Sequence, residues 1–185
     1  MKKLGLLSLI LSLFILTGTI AFAADPVKLT SSPAASFSVL SGVEDDIDQG
    51  YSISLFKRIL VTADLEDMIK YDATKTGFTL FAPTDQALRN DLTLKRRQEL
   101  LTNKEAARYF VMFHMTSGKN SVDDLTALSG KELMSMSQTA LSVTSATSSV
   151  TGKIRLIING AINLAGPFEG TNNVNVYIID TVVTP

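Results

Sequence analysis

His114 is the single histidine of the chain, so any imidazole chemistry must run through it. A metal centre there would need further nitrogen donors or carboxylates at ligand spacing, and no His-x-x-x-His pair exists. It follows Phe110 and Phe113 at helical spacing, which places it on an apolar stripe and reads as a buried, hydrogen-bonded imidazole. Four carboxylates crowd Glu44, Asp45, Asp46 and Asp48. Counted as a calcium loop from Asp46, the twelfth position is Lys57, where a chelating glutamate is required. Residues 44–48 therefore read as an acidic solvated turn, with a weak surface calcium site on two or three carboxylates as the alternative. Gly118-Lys119-Asn120 and Gly130-Lys131-Glu132 lack the Ser/Thr and the earlier glycine of a phosphate loop. Neither a metal nor a cofactor is expected.

Nucleophilic chemistry fares no better. Ser54-Leu-Phe-Lys57 and Lys75-Thr-Gly77 match two short elements of penicillin-recognising enzymes, but the Ser-Asp-Asn element is missing and the chain around them is too short. No Gly-x-Ser-x-Gly elbow occurs, and a histidine committed to the core leaves no triad. The chain is expected not to be an enzyme.

The positioning elements begin after a leader. Met1-Lys2-Lys3, an apolar run from Leu4 to Leu16 and the triplet Ala21-Phe22-Ala23 describe a secretory signal peptide over residues 1–23, cleaved after Ala23. The apolar run is short for a bilayer span, which takes about 20 residues, and no other segment is apolar enough. Cysteine is absent, so lipid attachment behind the leader is excluded, and stability must come from packing rather than disulfides. A secreted or periplasmic location follows. About 160 residues remain, enough for one domain. The net charge of −1 becomes more negative once Lys2 and Lys3 are removed, and this argues against a nucleic-acid partner. The Lys95-Arg96-Arg97 run reads as a solvated helix face.

Residues 24–36 are small, polar and proline-containing, a linker or mobile tail, and the domain is expected over 37–185. Ile53, Phe56, Ile59 and Leu60 share a helical face, and Leu65, Met68 and Ile69 form a second short stripe. Residues 78–82 read as a strand ending at Pro83, and Thr84 is placed to cap the helix that follows. Helices are also expected over 94–101 and behind a Thr102–Glu105 capping box, with a one-turn helix capped at Ser121-Val-Asp-Asp124. From Lys131 onward, Ser, Thr, Val and Ile dominate without a helical period, so the last third should be strands. Asn159-Gly160 is a hairpin turn, and Val174, Val176 and Ile178 alternate with Asn175, Tyr177 and Ile179. The order is α+β in one domain.

Four collinear blocks carry a family resemblance. They are Thr79-Leu-Phe-Ala-Pro-Thr-Asp85, the helix end from Phe113-His114 to Gly118, Leu128-Ser-Gly-Lys-Glu-Leu133, and the tail from Ile158-Asn-Gly160 to Asp180-Thr-Val-Val183. Together they resemble a fasciclin domain. The resemblance implies a compact wedge or sandwich of antiparallel strands packed against several helices, and marks Phe81, Pro83, Thr84, Asp85, Phe113, His114, Asn159, Gly160 and Asp180 as structural motif residues. It also implies an extracellular or surface-associated adhesion module acting through protein–protein contacts. The family usually has Tyr-His where this chain has Phe113-His114, so a tyrosine hydroxyl is missing here. The Asp-Ile pair that contacts integrins in some animal members falls at Pro167-Phe168, which supplies no acid.

The expected function is therefore an exported adhesion or matrix-interaction protein, with a protein or polysaccharide of the cell surface or matrix as partner. The alternative is an extracytoplasmic small-molecule or polysaccharide-binding protein with a pocket between helices and sheet. Partner contacts are expected on connecting segments. The segment 165–173 reads as such a loop, with Pro167, Phe168, Glu169, Thr171 and Asn172 as the candidate contact residues and Phe168 as an exposed anchor or a cover for the sheet edge.

Overall fold

The computed structural model describes residues 50–73, 76–149, 151–171 and 173–184. The leader over 1–23, the tail over 24–36, the acidic residues 44–48, the domain start at 37 and Asn172 lie outside the described residues.

Five helices and one strand come first. Helix α1 (Ser54–Ala63) buries Phe56, Ile59, Leu60 and Ala63, and ends where Asp64 turns to a left-handed φ of 51°. Burial of each of the first three side chains contributes roughly 1.5–3 kcal/mol. Helix α2 (Glu66–Ala73) opens with Glu66 and Asp67, acids that suit a helix N-terminus. Strand β1 (Phe78–Pro83) stops at its proline, and Thr84 caps α3 (Asp85–Asp91) by accepting the Ala87 N–H. Helices α4 (Leu94–Thr102) and α5 (Lys104–Phe113) follow with almost no linker. The expected Thr102–Glu105 capping box does not form. Thr102 still belongs to α4, and Asn103 closes α4 with its backbone N–H while its side chain caps α5 at Ala106. Sequence alone cannot show that one residue serves both ends.

After β2 (Met115–Ser117) comes α6 (Val122–Ala127), whose Ser121–Asp124 capping box is complete. The rest is sheet: β3 (Lys131–Met134), β4 (Ala140–Thr147), β5 (Ile154–Ile158), β6 (Ala161–Gly170) and β7 (Val174–Ile179). Asn159 and Gly160 both take positive φ, at 49° and 87°, in the hairpin between β5 and β6. The strand order is β2-β1-β7-β6-β5-β4-β3. A bridge between Thr116 and Ser135, and the bond from Met136 N–H to Met115 O, bring the two ends together. The result is an α+β domain with a nearly closed seven-stranded sheet. Its neighbours are antiparallel except β1 and β7, which run parallel over six residue pairs.

The segment expected as a loop over 165–173 is strand as far as Gly170. Its glycines and proline suggested a loop, but β7 supplies a pairing partner, and two irregularities, between Asn163 and Ala165 and between Ala165 and Phe168, absorb the misfit. Strand β6 pairs with β5 only at Ala161 and Ile162 and with β7 from Asn163 onward, and this change of partner turns the sheet into a wedge.

Two apolar cores result. Phe78, Leu80 and Ala82 of β1 and Val174, Val176 and Ile178 of β7 join the helices in one. Phe81, Tyr177 and Ile179 point the other way and join Leu141, Val143, Leu156 and Ile158 inside the wedge. Adjacent residues of one strand thus serve different cores, the period of two expressed with both faces covered.

His114 ties the helical half to the C-terminal tail. It is fully buried among Phe56, Phe110 and Phe113. Its Nε2 accepts the Val183 N–H at 3.2 Å, so the ring proton sits on Nδ1 and is donated to Phe110 O at 2.8 Å. The next backbone donor, Val182 N–H, goes to the Asp91 carboxylate at 2.7 Å. Burial pulls the His114 pKa down from 6.5 to about 4, against the opposing effect of the Phe110 carbonyl.

Two expectations follow. Between those pKa values the unfolded chain binds a proton that the folded chain does not, so stability is complete above pH 6.5 and lost as pH falls towards 4. The shift corresponds to about 3 kcal/mol across that window. Urea unfolding of His114→Gln should show a loss of about 1–3 kcal/mol at pH 7 and a flattened dependence between pH 6.5 and 5. A slope equal to that of the wild type would assign the acid sensitivity to carboxylates instead. In β6, Gly166 adopts φ +107°, and an added Cβ would lie 2.5 Å from the Val176 carbonyl oxygen. Gly166→Ala should therefore cost about 2 kcal/mol or more, read as a lowered melting temperature.

Candidate functional site

The parallel pair fixes two ends of the domain, and each gathers polar side chains from separate segments of chain. At the carboxyl ends of β1 and β7 lies a cleft of about 400 Å³ lined by Gly50, Tyr51, Ser52, Thr84, Asp85, Gln86, Arg89, Leu164 and Asp180. Asp85 is its most fixed member. Its Oδ1 accepts the Leu55 N–H at 2.8 Å, its Oδ2 accepts the Ser52 hydroxyl at 2.9 Å, and its own N–H donates to Ser52 O at 2.7 Å. The carboxylate thereby caps the start of α1 from the start of α3. Arg89 lies one helical turn along, with a guanidinium nitrogen 3.7 Å from Asp85 Oδ2 and over half its side chain exposed. Across the cleft, Asp180 Oδ1 accepts the Ile162 N–H and the Thr181 hydroxyl at 2.8 and 2.9 Å.

Thr84, Asp85 and Asp180 were named by sequence as motif residues, and the fold brings them together although they come from opposite ends of the domain. Tyr51, Gln86, Arg89 and Leu164 were not singled out. No local pattern marks them, because they come from three separate segments of chain.

The other end of the pair carries the segment 167–171. Phe168 opposes Val176 in the ladder and is half-buried against the helix-side core, so it is not a free exposed anchor. Pro167 is also half-buried, whereas Glu169 and Thr171 are exposed. Glu169 pairs with Lys119 at 2.8 Å, and hydrogen bonding from that ammonium holds its pKa below the usual range. Exposed pairs of this kind add little stability, which leaves both side chains available to a partner.

Beside this segment, the Asn120 loop closes over buried polar positions of the spine. Thr79 Oγ1 donates to Gly118 O at 2.7 Å and accepts the Asn120 N–H at 2.8 Å. Asn175 Nδ2 and the Tyr177 hydroxyl both donate to Asn120 O, at 2.8 and 3.1 Å. Burial, and secondarily the charge of Asp124, raises the Tyr177 pKa, so the phenol stays a donor. These contacts hold a loop in place and offer no nucleophile–base pair. Among the described residues, no group of three or more His, Asp or Glu side chains is arranged to hold a metal ion.

Of the remaining motif residues, Phe81 and Phe113 lie in the wedge core, Pro83 ends β1, and Asn159 and Gly160 form the hairpin. No helix among the described residues is long and apolar enough to cross a membrane.

Comparison with known proteins agrees with this architecture. The chain is similar in fold to a FAS1 domain pair from the insect cell adhesion molecule fasciclin I, with a TM-score of 0.52 and 17% identity. The likeness covers 69% of this chain and 43% of that one, so the chain spans less than half of that structure. The Fasciclin domain profile matches residues 52–185, which contain both strands of the parallel pair, the His114 helix end and the Asn159-Gly160 hairpin. On that match the chain belongs to the Fasciclin domain family.

Proposed function

We propose that the protein is an exported, non-enzymatic adhesion module that binds a protein of the cell surface or matrix through residues 167–172. The observation that carries this reading is the exposure of Glu169 and Thr171 on a segment whose backbone is held in the sheet by β7 and whose Phe168 is packed on the core. Contact groups presented from a fixed strand lose little freedom on binding. Membership of a family associated with cell adhesion supports it.

Export rests on the leader sequence of residues 1–23, and the absence of cysteine excludes lipid attachment behind it. A second reading, extracytoplasmic capture of a small molecule or polysaccharide, is favoured by the cleft at the opposite end of the parallel pair.

Two measurements test the main reading. Edman sequencing of protein recovered from the envelope or medium should begin at Ala24, and an intact chain in the membrane fraction would overturn cleavage. The variant Glu169→Ala should keep the wild-type melting temperature, because its exposed ion pair adds little stability, and lose capture of envelope or matrix protein by about tenfold or more. Unchanged capture would move the contact surface elsewhere. Phe168→Ala is the structural control and should lower the melting temperature through the lost packing.

A further inference from the structure

The cleft beyond the carboxyl ends of β1 and β7 is lined by hydrogen-bonding groups that the fold leaves unused. Among the described residues, the Tyr51 hydroxyl, Gln86 Oε1 and Asp180 Oδ2 have no protein partner, since Gln86 donates only through Nε2 to Asn90 and Asp180 accepts only through Oδ1. Arg89 has only its 3.7 Å approach to Asp85, which is too long for a hydrogen bond, so its donors are free as well. Donors and acceptors are therefore mixed on one concave surface, beside the half-buried Tyr51 ring and Leu164.

Two features narrow the ligand. A mixed set of donors and acceptors matches groups that do both, and hydroxyls on a compact ring present several at once while their C–H faces rest on aromatic and aliphatic walls. Arg89 stands against the carboxylates of Asp85 and Asp180, so the lining carries one negative charge in excess and disfavours an anionic ligand. The volume of about 400 Å³ suits a small ligand or a short stretch of a longer chain.

We propose that this cleft binds neutral saccharide rings of an extracellular polysaccharide. Arg89 and Gln86 grip hydroxyls from α3, Asp180 accepts from the opposite side, and Tyr51 with Leu164 supplies the apolar wall. Asp85 is a positioning residue, held by Ser52 and Leu55 and keeping the two sides of the cleft together. The assignment rests on the second of the two functional readings and is independent of the contact segment at the other end of the strand pair.

The test is a titration of the ¹⁵N-labelled protein with cellohexaose, laminarihexaose and maltohexaose, and with hexagalacturonate as the anionic counterpart. At least one neutral hexasaccharide should shift the amide signals of Tyr51, Ser52, Gln86, Arg89 and Leu164, and hexagalacturonate should leave them in place. Arg89→Ala and Gln86→Ala, both on the exposed face of α3, should weaken that binding by about tenfold or more without moving the melting temperature. Shifts that map elsewhere, with Arg89→Ala binding like wild type, would overturn this site and leave saccharide capture standing. No shift with any of the sugars would overturn both. Tighter binding of hexagalacturonate at the cleft would overturn the neutral class.

Discussion

The parallel ladder between β1 and β7 is the constraint on which the domain depends. Both strands are buried along their whole length, and each sends alternate side chains into a different core. Neither core is complete without the pair, because the helices pack on one of its faces and the far strands of the wedge on the other. Of the few polar side chains on these strands, Thr79 O–H and Asn175 Nδ2 find partners in the Gly118–Asn120 loop, whereas Asn175 Oδ1 is buried without one. The partners are also the first and last strands of the described domain, so the decisive contacts join residues nearly a hundred positions apart. Long-range pairing of this kind makes for slow folding, since loop closure precedes any gain from the ladder.

The same ladder decides where function can sit. Its two ends are the places where chain leaves the sheet, and its middle is inaccessible. At one end, β1 and β7 deliver Thr84, Asp85 and Asp180 to a cleft. At the other, β6 meets the start of β7 and presents Glu169 and Thr171 to solvent. Ligands of parallel α/β sheets bind beyond the carboxyl ends of the strands, where helices and loops diverge. One parallel pair is enough here to create that divergence, between α3, the segment before α1 and the turn after β7.

Much of the fold was legible from local pattern. Thr84, Asn159-Gly160 and the Ser121–Asp124 box each state their role within a few residues, because caps and turns are set by short-range hydrogen bonds and positive φ. The stripe Phe110, Phe113 and His114 likewise placed the imidazole in the core. The failures came where a neighbour, distant in sequence for β6 and adjacent for Thr102, overrode the pattern read locally. Gly166 and Pro167 read as loop, yet β7 holds them in a strand. Thr102 read as a cap, yet α4 extends through it. The cleft was illegible for the same reason, since Tyr51, Arg89, Leu164 and Asp180 meet only after the sheet has formed.

Gly50 and Asp180 line the same cleft, and this has a mechanical consequence. Force applied to the described domain between Gly50 and Thr184 would enter and leave it at one end of the strand pair. It would reach first the hydrogen bonds around that end: Ser52 to Asp85, Asn159 to Thr184, His114 to Val183 and Asp91 to Val182. Loaded one after another, these bonds would part in the manner of a peeled edge. A pulled molecule would then lengthen at its entrance and exit while the body that presents Glu169 and Thr171 stays folded.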